Sequence, residues 1–531
     1  MSKLPKLISS LIALATFTQL TSCHPCPGTD CISQSLRPSV HTSSGVIIGH
    51  PGSQYPDVTE YLGVPFASPP TGQLRFAAPI KLLSNQTIVA KDYAPNCPAT
   101  NAELPSFPES TSQAPRIVNV FVSQSGAVGE DCLYLNIWGK LEPSKPKPVL
   151  IWFHGGRFSV SSAKTPYYDG QPLASHHDVI VVTVNYRLSI FGFAGAPGLT
   201  QNVGLLDQRM AIEWVHENIS GFGGDPNRIT MFGSSAGGTS VDLYSYAWSD
   251  NPLISGLISH SGTALSYMPS TPEQAANTFF KASKLLGCGG LTISTEKVVQ
   301  CMRQQPFEAL FNASNNVPQT PTLTIPEPVF HPVVDDIVVF RDYRKLSAEG
   351  KFAKLPYLVV CNNNESGFYK VTAYTSNLTV SDEAWHNFNL AAFTCPSGQT
   401  VRDRVAHGVP TWQARYFGDW DNMRLYPGSG TYHGSDVAMV FETTDQVSGL
   451  PSSEPEEEVS RYMASAWVAF ASDPHDGLKK FGWPEYNSSE RTLIGLAYDN
   501  SPRMTLFKPE HFEHGCAALA GKELLVGNGA I

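Results

Sequence analysis

The chain has 531 residues, 42% of them hydrophobic and 15% charged, with a formal net charge of −10. That is enough apolar material for a large core and too little charge for a disordered chain. No basic cluster occurs, which excludes a nucleic-acid partner, since neutralising phosphates needs a positive stripe. The 43 glycines and 41 prolines are spread along the chain, implying many ordered turns, and no repeat or low-complexity tract is present.

Lys3 and Lys6 precede the apolar run Leu7–Phe17, and small residues follow around Thr21 and Ser22. A basic start, a short apolar centre and a small-residue exit predict a secretory signal over residues 1–22. A membrane-spanning helix would need about 20 apolar residues, and the C-terminal Leu524–Ile531 carries no hydrophobic tail, so no membrane anchor is expected. The remainder, 23–531, is expected to form one domain. Length alone would suggest about three, but α/β folds commonly grow by insertion. Ten cysteines agree with an oxidising, extracellular compartment. Sequons occur at Asn85, Asn218, Asn312, Asn364, Asn377 and Asn487. Glycans are expected at Asn85, Asn312, Asn377 and Asn487, and not at Asn364, which adjoins a candidate catalytic residue.

Residues 24–45, rich in Cys, Pro and Ser, read as irregular. The runs Val149–Phe153, Val179–Val184, Arg228–Phe232 and Tyr357–Cys361 are short, uninterrupted and rich in β-branched residues, as in a parallel sheet covered on both faces. Leu205–Val215 has helical spacing with an amphipathic face, giving a strand–helix–strand unit. The fold class is therefore α/β, with ligands expected at the carboxyl ends of the strands.

Gly233-Ser234-Ser235-Ala236-Gly237 matches G-x-S-x-G, a pattern that chance supplies readily in a chain this rich in Gly and Ser. Its setting is more specific. It follows a strand and precedes a helix through Asp242–Tyr244, the context of a nucleophile elbow. The helix start there offers backbone N–H groups to a developing oxyanion. A serine hydroxyl needs a base, and in this fold acid and histidine should follow in that order after later strands. Glu365 and His433 occupy such places, although His433 is one of 15 histidines and spacing alone does not single it out.

Tyr61–Ala67, Glu130–Trp138, the serine pentapeptide and Phe222–Pro226 together resemble the type-B carboxylesterase, lipase and cholinesterase-like family, in particular its secreted, fungal-type esterases. The match runs from about residue 43 to 510. The resemblance implies an α/β-hydrolase fold with a mostly parallel central sheet, helices on both faces and large insertions. It also implies a serine carboxylic ester hydrolase acting on a small-molecule ester without cofactor or metal. Ser235 would be the nucleophile, His433 the general base and Glu365 its orienting acid, with Asp335 or Asp336 as fallback. The backbone amides of Gly156, Arg157 and Ala236 would form the oxyanion hole, and Ser261 and Asp436 would be supporting polar residues. It implies disulfides Cys97–Cys132 and Cys288–Cys301, the first closing an apolar loop that in related lipases is a lid. Cys395–Cys516 and Cys26–Cys31 are further possible pairs, with Cys361 unassigned.

Three positions and one loop depart from the family pattern. Arg157 stands where a third glycine is usual, which carries a steric cost if φ must be positive there. Its side chain is expected to turn away from the site, the alternative being attraction of an acidic substrate. Ser234 replaces a common glutamate, and the loop 97–132 lacks the tryptophan that would hold a quaternary ammonium, which together argue against a cationic substrate. Ser366 follows Glu365 where glycine is usual. Two alternatives share the fold: acyl transfer or biosynthetic tailoring through the same serine, and a non-catalytic adhesion or scaffold protein, which typically lacks a triad member. Oligomeric state is not legible.

Overall fold

The computed structural model describes residues 38–100, 107, 109–122, 124–140, 145–318, 328–375 and 379–519. The expected signal and Cys23, Cys26 and Cys31 lie outside this set. The strands are β1 (Ser39–Thr42), β2 (Gly45–Ile48), β3 (His50–Pro51), β4 (Thr59–Pro65), β5 (Thr87–Val89), β6 (Tyr134–Gly139) and β7 (Lys147–Phe153). They continue as β8 (Ile180–Val184), β9 (Gly224–Ser234), β10 (Gly256–His260), β11 (Tyr357–Asn362), β12 (Thr411–Tyr416), β13 (Leu493–Leu496) and β14 (Thr505–Phe507).

The four runs read from the sequence are β7, β8, β9 and β11, at the heart of a sheet ordered β14-β13-β12-β11-β10-β9-β7-β8-β6-β4-β3. Neighbours from β13 through β8 are parallel, and the flanking pairs are antiparallel. Every residue of β7, β8, β10, β11 and β12 is buried, as a sheet with both faces covered requires. Side chains alternate between the faces. Val149, Ile151 and Phe153 enter one core, whereas Leu150 and Trp152 enter the other with Phe232, Ile258 and Leu358. Each such side chain contributes about 1.5–3 kcal/mol by leaving water.

Two expectations need correction. The segment 24–45 is not irregular throughout, because β1 and the start of β2 pair antiparallel within a separate three-stranded sheet. The helix expected at Leu205–Val215 runs Val203–Asn218 and is not simply amphipathic, since Asp207, Gln208 and Arg209 are buried with its apolar residues. These polar groups are tolerated because each is paired. Arg187 grips Asp207 through Nε (2.8 Å) and Nη2 (2.7 Å), Gln208 donates to Ser240 Oγ, and Arg209 donates to Glu213 and Tyr244.

Disulfides join Cys97–Cys132, Cys288–Cys301 and Cys395–Cys516. Cys361 is a buried free thiol, pushed up to about 11 by burial, with Glu365 and Asp436 adding to the rise. Among the described residues no helix is long and apolar enough to cross a membrane.

Candidate active site

Strand register brings the candidate residues together. Phe153 lies opposite Gly233, Ser234 opposite His260, and His260 opposite Val360. The carboxyl ends of β7, β9, β10 and β11 therefore form one edge, from which Gly155, Ser235, Ser261 and Glu365 follow within a few residues.

Ser235 links β9 to the helix Ala236–Ala247 at φ 58°, ψ −124°, a conformation disfavoured for any side-chain-bearing residue. The turn is tight enough to require glycine around it. A Cβ on Gly237 would lie 2.0 Å from the Phe153 carbonyl oxygen, and one on Gly155 would lie 2.8 Å from Ser235 Cβ. Within the helix, Asp242 accepts from the Ala264 amide (2.7 Å) and from Arg404 Nη2 (2.6 Å). Both charged side chains are 0% exposed.

Gly156 and Arg157 follow β7 with φ of 98° and 54°. Arginine therefore occupies a left-handed position that glycine adopts without strain. Its charge is not isolated from the site. It adds to the burial that pulls His331 down to about 4, and it acts on the buried Tyr369, whose ring is 5.2 Å from that of His433. His154, just before these residues, is also neutral, pulled down to about 4 by burial. It stacks on Tyr186, whose hydroxyl donates to the His154 carbonyl.

His433 Nδ1 donates to Glu365 Oε2 at 2.7 Å, and both side chains are buried. Glu365 Oε1 accepts from Ser261 Oγ (2.6 Å) and from the Asn362 amide (2.7 Å). The carboxylate is thus fixed from two sides. His433 Nε2 is buried with no hydrogen-bond partner, and the ring packs against Tyr369 and Phe393. Both fallback acids are engaged elsewhere. Asp335 accepts from the amides of residues 337–339 and from Asn202, and Asp336 from the Arg341 amide. Ser366 does not disturb Glu365, because its hydroxyl donates to Asn364. The Ser234 hydroxyl is buried and has no hydrogen-bond partner.

Within the loop closed by Cys97–Cys132, Ala114–Val122 is helical and buries Ile117, Val118 and Val122. Phe121 lies where a Cβ on Gly434 would meet its ring at 2.6 Å, so the loop covers the neighbour of His433. Thr111, Gln113 and Arg116 donate to carbonyls of 421–447 and hold it there. Sequence reasoning missed Asn362, His260 and Trp467, which join Asp436 to this site. The one available signal was position: Asn362 ends a strand and His260 precedes Ser261.

A mostly parallel, doubly covered sheet with a strained serine at a strand–helix turn on its carboxyl edge defines a class of hydrolase, and comparison with known proteins agrees. The carboxylesterase family model matches residues 36–391 and 375–513. The chain is 34% identical to a chlorogenic acid esterase of Aspergillus niger over 86% of its length and 90% of that protein's. It is also 34% identical to secreted lipase 5 of Gibberella zeae, over 87% and 90%. With a para-nitrobenzyl esterase of Bacillus subtilis the identity is 30%, over 84% and 93%. The chain belongs to the carboxylesterase family. It has the α/β-hydrolase fold of that family and is a carboxylic ester hydrolase.

Proposed function

We propose that the chain is secreted and cleaves small-molecule esters through an acyl-serine intermediate, using Ser235, His433 and Glu365. The observation that carries this reading is the buried His433 ring, clamped at Nδ1 by Glu365 and left without a partner at Nε2. Nε2 takes the Ser235 proton as Oγ bonds to the ester carbonyl carbon. The amides of Gly156, Arg157 and Ala236 receive the resulting oxyanion. His433 then gives its proton to the departing alkoxide as the C–O bond breaks. Water repeats the sequence to release the acid and restore Ser235. Phe121, Tyr369 and Phe393 near His433 favour an apolar acyl group, and the disulfide loop acts as its cover. The exposed Asn85, Asn312 and Asn487 suit glycans; Asn377 lies outside the described residues.

A p-nitrophenyl ester panel from C2 to C16 tests this on the wild type and Ser235→Ala. Hydrolysis and fluorophosphonate labelling are expected in the wild type alone. No hydrolysis at any chain length, with no labelling, overturns the reading. A long-chain optimum identifies a lidded lipase and a short-chain optimum a general esterase.

A further inference from the structure

Beside the Glu365–His433 pair lies a second buried histidine–carboxylate pair, His260 and Asp436, both 0% exposed. His260 Nδ1 is 2.6 Å from Asp436 Oδ2, and its other nitrogen, Nε2, is 3.0 Å from Trp467 Nε1. An indole N–H can only donate. Nε2 must therefore be the acceptor, so the single ring proton sits on Nδ1 and is donated to Asp436. His260 is held as a neutral tautomer, and its pair with Asp436 keeps a net negative charge. Contacts with Trp467 and Trp152 fix the plane of the ring.

That charge connects to the site through one residue. Asp436 Oδ1 accepts from Asn362 Nδ2 at 2.9 Å, while the Asn362 backbone amide donates to Glu365 Oε1. Asn362 Nδ2 also reaches Ser261 Oγ (3.3 Å), the second donor to Glu365. Burial pushes Asp436 up, and the hydrogen bonds from His260 Nδ1 and Asn362 Nδ2 oppose it by favouring the carboxylate. We propose that His260, locked by Trp467, is a positioning residue that keeps Asp436 anionic and fixed beside the Glu365–His433 pair, so that two buried carboxylates stabilise the imidazolium formed at His433. This role rests on the triad reading above. An imidazolium at position 260 would cancel the second charge; the indole prevents that.

The titratable groups around His433 are Glu365, Asp436 and Tyr369, with Arg157 acting on Tyr369 and Cys361 within range of both carboxylates. Besides His260 and His433, Asp436 acts on Tyr167, Tyr416 and Cys361.

Nitrogen-15 histidine spectra of the full chain at neutral pH, assigned by the signal lost in His260→Asn, should show a protonated Nδ1 and an unprotonated Nε2. A doubly protonated ring or the opposite tautomer overturns the proposal. In Trp467→Phe the ring is free to take a second proton and neutralise Asp436. The plateau of kcat/KM should fall about tenfold, and the acid limb should move to about threefold higher proton concentration, as removal of a nearby negative charge requires. Asp436→Asn should move the limb the same way. Adding His260→Asn to Trp467→Phe keeps a neutral donor to Asp436 with no ring to protonate, and should return the limb to its wild-type position. A lowered plateau with an unmoved limb in Trp467→Phe and Asp436→Asn, or no return in the double variant, overturns the proposal. If the tautomer is as expected but fluorophosphonate does not label the wild type, the triad reading falls and takes this role with it.

Discussion

At Ser235 the backbone is held at φ 58°, ψ −124°, at a cost of about 1–3 kcal/mol for a residue with a side chain. Glycine escapes that cost and alanine does not. Ser235→Gly is therefore expected to unfold about 1 kcal/mol later than Ser235→Ala in urea, while both lose at least about 10⁴-fold in kcat. At Arg157 the same backbone argument meets a charge. Its charge acts on His331 and on Tyr369, the ring that packs on His433. Arg157→Gly should lower the ratio of kcat/KM for a carboxylate-bearing ester over its neutral analogue by about tenfold, or about 1.4 kcal/mol. An unchanged ratio would exclude a recognition role. His154 and His331 set a pH window for stability. Buried and held down to about 4, they stay neutral in the fold where the unfolded chain binds protons from about pH 6.5 downward. Their contribution is complete above that pH and is lost as pH falls toward 4, by up to about 3 kcal/mol for each. Urea midpoints between pH 7 and 4 should therefore fall less steeply in His331→Gln than in the wild type.

At the scale of elements, the turn around Ser235 is set by close backbone approach. Gly237→Ala would place a methyl 2.0 Å from the Phe153 carbonyl oxygen, with no flexible side chain to yield. A loss of at least about 2 kcal/mol in denaturant unfolding is expected, with activity falling as the turn opens. This turn was legible in the sequence, because its glycines and its strand–helix setting are local features. So were β7, β8, β9 and β11, whose unbroken β-branched runs have few alternatives. The neighbouring β10 (Gly-Leu-Ile-Ser-His) and β12 (Thr-Trp-Gln-Ala-Arg-Tyr) were not. Their polar residues resemble those of exposed segments, yet His260 is satisfied by Asp436 and Trp467, and Arg415 by Asn363 and the Phe512 ring. Partners that far away in sequence leave no local mark. The same reason hid Asn362 and Trp467 from a reading that proposed Glu365 and His433 through family motifs.

Across the chain, the three disulfides among the described residues close loops of very different length, with sequence separations of 121, 35 and 13. Loop-closure entropy ranks their loss at about 5, 4 and 3 kcal/mol. Thermal unfolding of the paired Cys→Ala variants should follow that order, Cys395–Cys516 being the most costly. A second long-range tie has a different consequence. Asp242, the seventh residue of the helix behind Ser235, finds its countercharge in Arg404, 162 residues later in the chain. During synthesis the central strands emerge long before that guanidinium exists. Until then the helix must leave its aspartate in water or bury it unpaired, which is strongly unfavourable. Ribosome-bound chains halted at residue 390 should thus stay protease-sensitive across 225–250, and become resistant only once Arg404 has cleared the exit tunnel. The last third of the polypeptide times the moment at which the strained turn at Ser235 can close.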